Sequence, residues 1–182
     1  MGTIRVHEFT SLDGVIDNPT WTFDFGFDPA MGQDIGNIMS RCDAILLGRK
    51  TYEMFEPAWS VRTASNDPGA PFFNETKKYV VSSTLKATTW QNTELFGPYN
   101  AEAIRQLKVE VDGSIYISGS STLVRALIED DLLDELHLFV YPVTRGAGMR
   151  LYPEGVSSKW SLTHSAAYDN GVMYLTYRAF SS

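Results

Sequence analysis

Residues 45–55, ILLGRKTYEMF, carry three large aliphatic residues into Gly48, then two adjacent cations, Arg49 and Lys50, then Thr51 and a run of good helix formers. A short apolar run of this kind fits a strand buried on both faces, and the residues after Gly48 fit a helix. The stretch therefore reads as strand, glycine turn and helix. A helix that starts directly after such a turn leaves its first backbone N–H groups unpaired, here beside positive charge.

The junction recurs. YVVSST at 79–84 and YISGSST at 116–122 are again apolar runs that end in small or hydroxylated residues. Between and around them strand and helix signals alternate. TIRVHEFT reads as a first strand. DPAMGQDIGNIMSRC opens with Asp28 as N-cap and Pro29 at the first helical position, and puts Met31, Ile35, Ile38 and Met39 on one face. NAEAIRQLKVE is a helix capped by Asn100, and STLVRALIEDDLL turns Leu123, Val124, Leu127 and Ile128 inward. Such alternation implies a largely parallel sheet with helices on its faces. After residue 133 the pattern changes to ELHLFVYPV, KWSLTHSAAYDN and GVMYLTYRAF, strands without intervening helices, with DNG at 169–171 as a hairpin turn. The expected class is α/β: a mixed, mostly parallel central sheet flanked by helices, with an antiparallel C-terminal hairpin. Residues 56–76, with three prolines, read as a long loop in which Phe72 and Phe73 anchor a short helix.

With 182 residues and 43% hydrophobic content the chain forms one domain, residues 1–182, with a substantial core. Fifteen Lys and Arg against 22 Asp and Glu give a net charge of -7, which repels a phosphate backbone and argues against nucleic acid. The N-terminus lacks a cationic region followed by an apolar one, and no stretch is long and apolar enough for a membrane span, so a cytoplasmic protein is expected. Cys42 is the only cysteine, a core residue of a reducing compartment. His7, His137 and His164 lie in separate segments with no ligand spacing, so no metal is expected.

In an open α/β sheet, ligands bind beyond the carboxyl ends of parallel strands, where helix N-termini meet anions. Gly48 and Gly119 let the backbone approach a phosphate, Ser82, Ser83 and Thr84 offer hydroxyls to a ribose, and Arg49 and Lys50 supply charge. Each junction taken singly is also an ordinary turn. Together they outline a dinucleotide cradle.

LLGRKTYEMF resembles the strand-turn-helix of dihydrofolate reductases, and YVVSSTL their next cofactor-binding strand. SIYISGSSTLVRALIEDDLLDELHLFVYPV, SLDGVID and PVTRGAGMRLYP are similar to the reductase domain of bifunctional riboflavin-biosynthesis proteins. The resemblance covers residues 3–180 and implies a dihydrofolate reductase-like fold binding NADPH. It implies Arg49, Lys50 and Thr51 at the phosphates, Ser82 and Ser83 at the adenosine ribose, and Gly119, Ser120, Ser121 and Thr122 at the pyrophosphate. Ile16 is implied at the nicotinamide and Trp21 at the substrate mouth. The acidic residue on the first helix is Asp34, with Asp24 and Asp28 as alternatives; Asp28 is also explained by capping. Asp13 is either a turn residue before Gly14 or a catalytic carboxylate beside the nicotinamide. The implied function is a stand-alone NADPH-dependent oxidoreductase, uracil reductase-like as in riboflavin biosynthesis or dihydrofolate reductase-like, acting on a pterin- or pyrimidine-like heterocycle or a carbonyl compound. The alternative is an NADP(H)-binding module without efficient turnover. A homodimer through the C-terminal strands is expected, as in similar reductase domains.

Overall fold

Eight strands form one sheet in the order β4-β3-β2-β5-β1-β6-β8-β7. They are β1 (Thr3–Ser11), β2 (Cys42–Gly48), β3 (Lys77–Val81), β4 (Thr93–Gly97), β5 (Ser114–Ser118), β6 (Glu135–Tyr141), β7 (Trp160–Ala167) and β8 (Met173–Ala179). The first six run parallel, and β8 and β7 add antiparallel beyond β6. The computed structural model describes residues 2–180; positions 1, 181 and 182 of the expected domain lie outside the described residues. Among the described residues no helix is long and apolar enough to cross a membrane.

The strand alternation sorts the core into two layers. Ile4, Val6, Leu46, Ile115, Ile117, Leu136 and Leu138 face helices α4 (Ala101–Glu110) and α5 (Ser121–Glu129). Ile45, Leu47, Tyr116, Phe139, Tyr141 and Tyr174 face α1 (Pro29–Met39), α2 (Arg49–Trp59) and α3 (Ala70–Glu75). The expected caps are in place: Asp28 accepts from the Ala30 N–H at 2.8 Å and Asn100 from the Ala103 N–H at 2.9 Å. Cys42 is buried and its thiol is pushed up to about 12, chiefly by that burial, which makes it a core residue.

Three features differ from the sequence reading. Helix α2 runs through Pro57 to Trp59, so the irregular part of the expected 56–76 loop is only residues 60–69. Packing overrides the proline, because Trp59 stacks on Phe73 at 4.1 Å and Phe55 meets the same ring at 5.6 Å. Residues 19–25 form a short 3-10 helix, and TELFG is a strand, β4, whose weak pattern reflects its place at the sheet edge. The anchoring by Phe72 and Phe73 is as expected, in α3.

Candidate active site

The path of the chain fixes where a ligand fits. From β1 through β2 to β3 it moves one way across the sheet with α1 and α2 on one face. From β4 through β5 to β6 it returns with α4 and α5 on the other. Right-handed crossovers require this change of face. β2 and β5 are neighbours whose outgoing connections diverge, so the crevice beyond their carboxyl ends is the switch point of the sheet.

The first and third sequence junctions meet there. The Gly48 N–H donates to Ser120 Oγ at 3.0 Å, and the Ser120 N–H donates to Thr51 Oγ1 at 2.9 Å. Gly119 and Ser120 follow one another in left-handed conformation, φ 60° and 57°, and a Cβ on Gly119 would meet Thr51 Oγ1 at 3.5 Å. These two bonds lock the start of α2 to the start of α5. Neither helix start receives a side-chain cap, so the first-turn N–H groups of both point into the crevice without a built-in acceptor. Thr51 and Ser120 are buried in this lock, while Ser121 and Thr122 lie further out.

The second junction is beside β2. Ser82 Oγ accepts from the N–H groups of Thr84 and Leu85 at 3.1 and 2.9 Å, and Ser83 is exposed. The hydroxyl of Ser82 thus shapes the turn and keeps its own hydrogen for a ligand. Arg49 is half engaged by Glu53, with Nη1 2.8 Å from Oε2, whereas Lys50 is exposed and makes no ion pair among the described residues.

On the other side of β5 the sheet opens. β1 pairs with β6 as far as Ser11 and Tyr141, but with β5 only as far as His7 and Ser118. The left-handed turn at Gly119 and Ser120 takes β5 away, and the edge of β1 after His7 is left facing the crevice. Glu8 is the first residue past that point. It is 3% exposed, its Oε1 has no partner among the described residues, and burial raises its carboxyl well above the ordinary carboxylate range. Sequence reasoning missed it, because HEF inside a strand signals nothing until one knows where two strands part.

Ile16 is buried on the α5 side of the sheet, on the loop that follows β1. That loop is tied to residues 143–151 by backbone bonds from Leu12 to Val143, Ile16 to Met149 and Leu151 to Gly14. Asp13 belongs to this clamp: its carboxylate accepts from Ser11 Oγ at 2.6 Å and from the N–H groups of Arg145 and Gly146 at 3.0 and 2.8 Å. Those bonds hold its carboxyl far below the usual carboxylate range and fix the turn. Asp17 Oδ1 accepts from the Met149 N–H at 2.9 Å.

Trp21 and Asp34 lie on the opposite face from Ile16, with α1. Trp21 packs edge-on against Tyr141 at 5.4 Å, and Phe25 and Phe9 crowd the same ring at 5.6 and 5.7 Å. The Nε1 of Trp21 is buried without a partner among the described residues. Asp34 accepts a hydrogen bond from Tyr168 Oη at 2.6 Å, and Tyr168 is raised by burial and by that carboxylate. Asp34 also borders a cavity of about 330 Å³ walled by Arg41 and Arg178 and floored by Glu135 and His137. The three residues expected near the substrate therefore do not line one cleft. His7 and His137, distant in sequence, are paired in register on this face; burial and its neighbour His137 lower His7 to about 3, which makes it neutral.

The RibD C-terminal domain model matches residues 2–174 of the chain. An uncharacterised Bacillus subtilis (strain 168) protein, YwjB, is 26% identical over 146 residues, 79% of each chain. A solved structure from Shewanella sp. PV-4, named provisionally as a riboflavin biosynthesis protein, superposes with a TM-score of 0.74 at 21% identity, covering 98% of this chain and 99% of that one. Dihydrofolate reductase from Enterococcus faecalis, solved with NADP(H), gives 0.65 at 17% identity over 99% and 98%. These structural likenesses establish the shared fold.

Proposed function

Since the chain belongs to the family of RibD C-terminal domains, we propose that it is an NADPH-dependent reductase of a small heterocyclic or carbonyl substrate. The observation that carries this reading is the pair of uncapped helix starts, α2 and α5, locked together through Gly48, Thr51 and Ser120 at the switch point of the sheet. Two helix N-termini and a backbone without side-chain bulk at Gly119 suit a pyrophosphate, and an orphaned buried carboxyl where β1 and β5 part suits a polar ring end.

When bound, a reduced nicotinamide supplies the hydride. The first-turn N–H groups of Arg49, Lys50 and Thr51 and those of Ser121 and Thr122 hold the phosphates; Ser82 and Ser83 hold the adenosine ribose. Lys50, with Arg49 behind it, favours a 2′-phosphate and hence NADPH over NADH. Ile16 covers the nicotinamide, and Asp13 positions the loop that carries Ile16. Trp21 and Asp34, expected at the substrate, lie on the face opposite Ile16 and are given no part in this step.

A second reading is an NADP(H)-binding module without efficient turnover. The rings of Trp21, Phe25, Phe9 and Tyr141 packed together on the α1 face favour it. Incubation with NADPH and a panel of pterins, pyrimidines and carbonyl compounds, monitored by the near-ultraviolet absorbance of the reduced nicotinamide, separates the two: consumption with any member supports the reductase, and tight binding without consumption supports the module. The Arg49→Ala, Lys50→Ala double variant loses affinity for NADPH more than for NADH if the 2′-phosphate reading holds.

The homodimer belongs to this proposal in a narrower form. Both faces of β6 are covered inside the chain, whereas β7 is the sheet edge and exposes side chains on both faces, Leu162 among them. A dimer would form through β7 and β8, and a monomer by sedimentation at micromolar concentration refutes it.

A further inference from the structure

Glu8 is a carboxyl in the wrong place for stability. It sits on β1 with its side chain on the same face as Ile4 and Val6, beside the apolar Leu138 of β6 and under the layer that includes Ile16 and Leu123. An unpaired polar group in such a place is a cost that a leucine would not incur. Glu8 also marks the position at which β1 loses β5 as a neighbour, as β5 ends and the chain turns at Gly119.

We propose that Glu8 is the residue that recognises the carboxamide of a nicotinamide inserted between β1 and β5, an assignment that rests on the cofactor reading above. Burial pushes the side chain toward the protonated form. A neutral carboxylic acid presents one donor and one acceptor side by side, and a primary carboxamide presents the same pair reversed. The two close a ring of two hydrogen bonds, giving Oε1 the partner it lacks and orienting the ring for transfer from one face. Glu8 is a positioning and specificity residue in this scheme; no bond to it forms or breaks.

Calorimetric titration of the full chain with NADPH and with 2′-phospho-ADP-ribose, which lacks the nicotinamide, tests this. Glu8→Leu should weaken NADPH about tenfold or more, the worth of a hydrogen-bond pair, and leave the nicotinamide-free ligand at wild-type affinity. Glu8→Gln, which keeps a donor and an acceptor, should stay within about threefold of wild type for both ligands. Wild-type and Glu8→Leu proteins that bind NADPH equally would overturn the assignment of Glu8 alone. A wild-type chain that binds neither ligand would sink the cofactor reading and this proposal with it. Should Glu8→Leu fail to fold, Glu8→Met is titrated in its place with the same expected split.

Discussion

Replacing Thr51 with valine keeps the shape of the side chain and removes the oxygen that accepts the Ser120 N–H at 2.9 Å. That N–H belongs to a buried residue in left-handed conformation and has no other acceptor among the described residues. Leaving a buried donor unsatisfied costs about 1–3 kcal/mol. For a chain of this size each kcal/mol moves the melting temperature by about 2–4 °C, so a fall of about 2–12 °C is expected. Urea unfolding monitored by circular dichroism measures the free energy directly, provided the slope with denaturant is unchanged. Ser120→Ala removes the acceptor of the Gly48 N–H, the other half of the lock. Because the two bonds share Ser120, the double variant should fall short of the sum by at least about 0.5 kcal/mol. NADPH affinity should drop in both single variants, since each frees one helix start from the other. A Thr51→Val protein as stable as wild type within about 0.3 kcal/mol, or single effects that add, would refute the idea that these bonds hold the cradle together.

The loop clamp yields two further outcomes. Asp13→Asn should lower the melting temperature at pH 7. The folded-state pKa of Asp13 is depressed, so its contribution is present above the ordinary carboxylate pKa of about 4 and fades as pH falls toward the folded value; the gap between variant and wild type should narrow in melts below about pH 4. Gly148→Ala puts a Cβ 2.6 Å from both Asp17 Oδ1 and Val15 Cγ1 at a φ of 128°, and should cost about 2–4 kcal/mol in denaturant unfolding while opening the 143–151 segment to proteolysis.

The parts of the fold that rest on local periodicity were legible in the sequence. ILLGRKTYEMF, YISGSST and the Asp28–Pro29 helix start became β2–α2, β5–α5 and α1 with their boundaries nearly as read. The strand-end glycines and hydroxyls were legible too, because they are local chemistry; the dinucleotide they would hold is the proposal above. What could not be read depends on which distant segments meet. Asp13 reads as a turn residue or a catalytic carboxylate, and only the fold brings the Arg145 and Gly146 N–H groups to it. Asp34 acquired Tyr168 from the far end of the chain, and Glu8 stands one residue past the last β1–β5 pair. Pro57 lies inside a helix that continues to Trp59, which stacks on Phe73, a contact that local sequence could not reveal.

Thermal melting of the full chain with increasing NADPH, NADP⁺ and NADH tests the cradle most directly. Ligand at a hundred times its dissociation constant should stabilise the native state by about 2.7 kcal/mol, a rise of about 5–11 °C, with NADPH effective at lower concentration than NADH. A melting temperature that does not move at several millimolar of any of the three would contradict a dinucleotide site between α2 and α5.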